Sequence, residues 1–142
     1  MKNSAFKTIE IYTDGGSRGN PGHSAIGFLV YGPEKEILEQ YREYIGIKTN
    51  NYAEYYAILK SLSAAEKYNP EEVIIYTDSS LAYNQISGFW KIKDEEIKKM
   101  VLQINRKILD FKIFKILYIP REKNKEADKL VNIALNLNEV NQ

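Results

Sequence analysis

The chain has 142 residues, 44% of them hydrophobic and 27% charged, with a net charge of +1 and no cysteine. That is the size of one ordinary domain with enough apolar residues for a core, which argues against wholesale disorder. The absence of cysteine excludes disulfide scaffolds, Fe–S clusters, cysteine-ligated zinc and cysteine nucleophiles, and a single His23 excludes a multi-histidine metal site and argues against a Ser-His-Asp triad.

The predicted elements run as follows. Residues 6–14 alternate apolar and polar types and are rich in β-branched residues, a strand pattern. Gly15 to Gly22 is a dense turn cluster. Residues 24–31 and 36–47 read as two further strands in a meander, so the first three strands are antiparallel. In the second of these, Ile37, Glu39, Tyr41, Glu43, Ile45 and Ile47 share one parity, a mixed pattern that leaves the register open. Thr49-Asn50-Asn51 supplies cap residues for a helix over about 51–68, with Tyr55, Ile58, Leu59, Leu62 and Ala65 inward. Residues 73–77 form a short apolar strand of the buried parallel kind. Helices follow at about 80–87 and 94–110, the second turning Ile97, Met100, Val101, Ile104 and Ile108 inward. Residues 112–119 are the last strand, and a terminal helix spans about 122–137 with Ala127, Leu130, Val131 and Ala134 inward. Residues 1–5 and 138–142 are expected to fray.

The order β-β-β-α-β-α-α-β-α implies an α/β fold: a five-stranded mixed sheet, three antiparallel then two parallel strands, flanked by helices. No run approaches the about 20 apolar residues of a membrane span, and no signal segment is expected. Charge is uneven: residues 1–84 carry a net −3 and residues 85–142 a net +4. An acidic half and a basic half suit a metal site beside a phosphate-binding surface, although a solvated lysine-rich face gives the same numbers.

Four carboxylates fall at element boundaries. Asp14 ends the first strand, Glu54 lies in the first turn of the first helix, Asp78 ends the parallel strand, and Asp128 lies inside the last helix. Each has an ordinary explanation as a cap, a turn starter, a dipole partner or a surface charge. Together they would converge at the carboxyl ends of neighbouring strands. Clustered carboxylates need a counter-charge, and Mg²⁺ is the hard, oxygen-seeking cation that supplies one. Two such ions about 3.5–4 Å apart clamp an in-line phosphoryl displacement.

Four motifs, Tyr12-Thr13-Asp14-Gly15-Gly16-Ser17-Arg18-Gly19-Asn20-Pro21-Gly22, Thr49-Asn50-Asn51-Tyr52-Ala53-Glu54, Tyr76-Thr77-Asp78-Ser79 and Asn124-Lys125-Glu126-Ala127-Asp128, together resemble the type 1 ribonuclease H family over about residues 8–136. The resemblance implies a single ribonuclease H domain over residues 1–142 that cleaves the RNA strand of RNA–DNA hybrids and leaves 5′-phosphate and 3′-hydroxyl ends. It implies two Mg²⁺ ions, with Mn²⁺ as a substitute, held by Asp14, Glu54, Asp78 and Asp128. It also implies hybrid contacts at Asn20, Asn50 and Gln85, and a grip on a DNA phosphate at Thr49. Double-stranded RNA is a further expected partner, and a cytoplasmic monomer with no membrane association is the expected state.

Two departures stand out. Many members carry a histidine in the loop before the last aspartate; here the loop is Tyr118-Ile119-Pro120-Arg121-Glu122-Lys123-Asn124, which leaves Arg121 or Glu122 to assist. Some members insert a basic, tryptophan-containing protrusion; here Phe89-Trp90-Lys91-Ile92-Lys93 is at most a reduced version. Trp90, Lys91 and Lys93 either meet the hybrid or, for Phe89 and Trp90, plug the core. Two other readings stand beside the nuclease: a non-catalytic module binding hybrid or double-stranded RNA on the same fold, and a sibling phosphotransferase such as a transposase core. The four carboxylates argue against the first, and the glycine-rich loop and helix start against the second.

Overall fold

β-Branched and aromatic runs form five strands: Thr8–Gly19 (β1), Gly22–Tyr31 (β2), Ile37–Lys48 (β3), Glu72–Thr77 (β4) and Ile113–Tyr118 (β5). The helices are Asn50–Ala65 (α1), Ser80–Ile86 (α2), Glu95–Ile108 (α3) and Lys125–Val140 (α4), with 3-10 turns at Glu66–Tyr68 and Arg121–Lys123. The computed structural model describes residues 6–141. One sheet runs in the order β3-β2-β1-β4-β5; β1–β2 and β2–β3 are antiparallel, β1–β4 and β4–β5 parallel. This is the architecture and order expected from the pattern.

Strand parity sorts the side chains into two layers. Ile9, Ile11, Phe28, Val30, Val73 and Ile75 pack with Tyr55, Ile58 and Leu62 of α1 and with Ile97, Met100 and Ile104 of α3. On the opposite face α4 lays Ala127 and Leu130 on Leu29, and Val131, Ala134 and Leu135 on Ala25. Each fully buried Ile or Leu contributes roughly 1.5–3 kcal/mol, so each helix is held chiefly by its apolar stripe. The expected inward residues of α1, α3 and α4 are buried or half-buried.

The last helix begins at Lys125 rather than 122, residues Glu66–Tyr68 of the first expected helix form a 3-10 turn, and three larger differences follow. β1 does not stop at residue 14: it continues through the glycine cluster, pairing Gly15 with Ile26 and Gly19 with Gly22, and only Asn20-Pro21 turns. The glycines permit close approach there. A Cβ on Gly15 would lie 2.3 Å from the carbonyl carbon of Ala53 in α1. In β3, two register irregularities interrupt the alternation, which is why no single parity fits it. Residues 138–140, expected to fray, are helical: Leu135 is buried, and Arg18 donates to Glu139 at 2.7 Å, tying the last turn down. Residues 1–5 and 142, also expected to fray, lie outside the described residues.

Candidate active site

The parallel register pairs Thr13 with Thr77, so Asp14 and Asp78, each one residue further on, emerge side by side. Asp14 sits mid-strand, not at a strand end, because β1 runs on to pair with β2. Glu54 lies one turn inside α1, past the first-turn position expected for it. Its approach depends on Gly15, whose missing side chain lets α1 touch β1, and the Gly15 N–H donates to Glu54 Oε1 at 2.9 Å. Gly27, opposite Asp14, does the same for α4: a Cβ there would lie 2.7 Å from Leu130 Cβ and 2.9 Å from the Ala127 carbonyl. One carboxylate oxygen from each of Asp14, Glu54 and Asp78 falls within 4.8 Å of the others.

Asn124, 1% exposed, opens the fourth motif but has no role assigned to it from the sequence. Its Nδ2 donates to the Thr13 carbonyl at 2.8 Å and to Asp78 Oδ2 at 2.9 Å, fixing the Asp78 carboxylate against β1. The available signal is its place in that motif, four residues before Asp128.

Burial pushes the Asp14 carboxyl up to about 8, with Asp78 and then Asp128 adding to the shift. Burial likewise raises Glu54 well above the usual carboxylate range, with Asp14 and Asp78 next in effect. A cation would offset the cost of ionising buried Asp14 and Glu54 this close together, and the donor set is entirely oxygen, which suits a hard divalent ion. It is the one such group of three among the described residues. Asp128 stands outside the group, exposed in the first turn of α4, yet it lines the same cavity of about 180 Å³ and faces Asp14.

Arg121 also lines this cavity, whereas Glu122 lines a separate one with Tyr12 and Tyr31. Of the two loop candidates, the structure therefore brings only Arg121 to the carboxylates. His23 lies in β2, half-buried, with Nδ1 2.6 Å from the Tyr44 hydroxyl, and does not line the cavity.

The other residues follow α1 and its neighbours. Thr49 is the N-cap, its hydroxyl accepting from Tyr52 N at 3.1 Å; Asn50 and Asn51 do not serve as caps. Asn50 N donates to Asn20 Oδ1 at 3.0 Å, and Ser17 N donates to Asn50 Oδ1 at 3.3 Å. Both asparagine oxygens are thus engaged, and the side-chain NH2 groups of these exposed residues have no protein acceptor among the described residues. Donors of this kind suit phosphate oxygens and ribose hydroxyls. Gln85 is less available: its Oε1 accepts from the Tyr55 hydroxyl, and its Nε2 donates to the Lys91 carbonyl at 2.9 Å. It holds the 89–93 loop against α2. Lys91 and Lys93 line a cavity with Asn51 and Asp94, and those two residues also line the adjoining one beside Asn20 and Thr49. Phe89 is 70% and Trp90 50% exposed, so neither plugs the core.

The family model described as reverse transcriptase-like matches residues 12–134. Ribonuclease HI of Halobacterium salinarum is 33% identical over 127 residues, 89% of this chain and 64% of that protein. Its crystal structure superposes with a TM-score of 0.88, covering 91% of this chain and 98% of that one. The bifunctional protein Rv2228c of Mycobacterium tuberculosis is 35% identical over 89% of this chain but only 35% of its own length. A crystal structure of LC11-RNase H1, isolated from compost, in complex with RNA/DNA hybrid is 36% identical, with a TM-score of 0.86 over 90% of this chain and 96% of that one. This chain thus spans about two thirds or less of the full length of the two curated relatives.

Proposed function

Because the chain belongs to the type 1 ribonuclease H family, we propose that it is an endonuclease hydrolysing the RNA strand of RNA–DNA hybrids with two divalent ions. Mg²⁺ is the expected metal and Mn²⁺ a substitute. The observation that carries this reading is the convergence of Asp14, Glu54 and Asp78 within 4.8 Å, on three different elements, two of them buried. A pure binding surface gains nothing from buried negative charge placed beside phosphate.

Asp14, Glu54, Asp78 and Asp128 would hold the ions, and Asn124 keeps Asp78 turned toward them. Bound there, the ions would supply an activated water and stabilise the leaving 3′-oxygen. Asn20, Thr49 and Asn50 would seat the hybrid by its backbone and hydroxyls, without reading base sequence. Arg121, always charged and unable to act as a base near neutral pH, would stabilise the charge that changes at the cleaved phosphate. Lys91 and Lys93, with Trp90 beside them, would meet phosphates further along the duplex.

The test is a gel with labelled RNA–DNA hybrid, RNA–RNA and DNA–DNA duplexes in Mg²⁺, Mn²⁺ or EDTA. Metal-dependent cutting of the RNA in the hybrid, with DNA–DNA intact, supports the reading. No cutting in any metal refutes it, and cutting of RNA–RNA widens the substrate class.

A further inference from the structure

Asp14 and Glu54 are held by burial, and Asp78 by Asn124. Asp128 has neither, because it is exposed. Its carboxylate is instead the end of a polar chain. Asn132, one turn further along α4, donates from Nδ2 to Asp128 Oδ2 at 3.3 Å and to the Asp128 carbonyl at 3.1 Å. The Asn132 Oδ1 accepts from Arg18 Nη2 at 3.2 Å, and Arg18 Nη1 donates to Glu139 Oε1 at 2.7 Å. Arg18 and Asn132 both line the carboxylate cavity.

We propose that Asn132 and Arg18 are positioning residues for Asp128, a role that rests on the nuclease reading above. An asparagine amide by itself can present either its oxygen or its nitrogen to a neighbour. An oxygen facing Asp128 would repel the carboxylate. Guanidinium only donates, so Arg18 claims the Asn132 oxygen and thereby turns the NH2 group toward Asp128. Glu139 occupies the other arm of the guanidinium. That arrangement keeps Arg18 from pairing with Asp128 directly, which would use up the carboxylate as a ligand. Asn132 therefore orients Asp128 without neutralising it.

Two measurements test this. The first uses metal-free protein and the ¹H–¹⁵N signals of the Asn132 side-chain amide. Arg18→Ala and Asp128→Asn should each shift them; signals unmoved by both changes overturn the chain. The second is single-turnover cleavage of hybrid in Mg²⁺, beside hybrid affinity measured in Ca²⁺. Asn132→Ala should slow cleavage about tenfold, the low end of the loss typical when a ligand's orienting partner is removed. Affinity should stay unchanged. Arg18→Ala should lose a similar factor, Arg18→Lys should recover most of it, and the double variant should be no slower than Asn132→Ala alone. Wild-type rates in Asn132→Ala, additive losses, or weaker binding with an unchanged rate overturn the positioning role alone. Wild-type protein that cuts no hybrid overturns the nuclease reading and this role with it.

Discussion

Replacing Asp14 or Asp78 by Asn keeps the side-chain shape and removes one charge from the group of three. Hybrid cleavage should vanish in each purified variant while the thermal melt stays cooperative; near-wild-type turnover would refute the assignment. Arg121 and the lysine pair should separate rate from binding. Arg121→Ala should lower the single-turnover rate more than hybrid affinity, because Arg121 lines the carboxylate cavity, where charge would change during the proposed reaction. Lys91→Ala with Lys93→Ala should do the reverse and flatten the salt dependence of binding, since phosphate contacts made equally before and during reaction affect affinity alone. Titrations in Ca²⁺ at two salt concentrations, beside single-turnover kinetics, read both effects.

At the scale of elements, two glycines set how near the helices come to the sheet. Gly15→Ala would place a methyl 2.3 Å from α1 backbone at Ala53, and neither partner can swing aside. The variant should lose roughly 1–3 kcal/mol or more of stability in urea melts, as overpacking does. It should also lose cleavage, because Glu54 rides on the displaced helix. Helices α1, α3 and α4 were legible because 3.6-residue spacing of apolar residues survives any tertiary context. The end of β1 was not: local turn chemistry and a strand stripped of side chains for close packing look the same in a glycine-rich stretch, and only the partner at Ala53 separates them. The bulges in β3 likewise arise from pairing with β2, which no local pattern records. Within the site, the four carboxylates were readable as motif residues. Asn124 was readable as a motif residue but not its contacts with Thr13 and Asp78, and the bonds that engage Gln85 come from Tyr55 and Lys91, which only the fold brings to it.

For the whole molecule, the buried acids tie stability to pH and metal. Asp14 is raised from 3.8 to about 8 in the folded protein, so its contribution is fully present below pH 3.8 and is lost as pH rises toward 8. Glu54 shifts in the same direction. In EDTA, the melting temperature of wild-type protein should therefore fall relative to Asp14→Asn as pH is raised from about 4 to about 8. Saturating Mg²⁺ at pH 8 should restore wild type more than the variant, since an ion that binds only the folded form stabilises it by mass action. Parallel pH dependences of the two proteins in EDTA would contradict the buried cluster.

The four carboxylates come from positions 14, 54, 78 and 128, on four separate elements. During translation, Asp14 leaves the ribosome more than a hundred residues before Asp128. The β1–β4 pairing that aligns Asp14 with Asp78 must also wait for both strands. A nascent copy of this proposed nuclease therefore holds an incomplete ligand set. On the proposed reading, the order of synthesis postpones assembly of the full ligand set until α4 has docked.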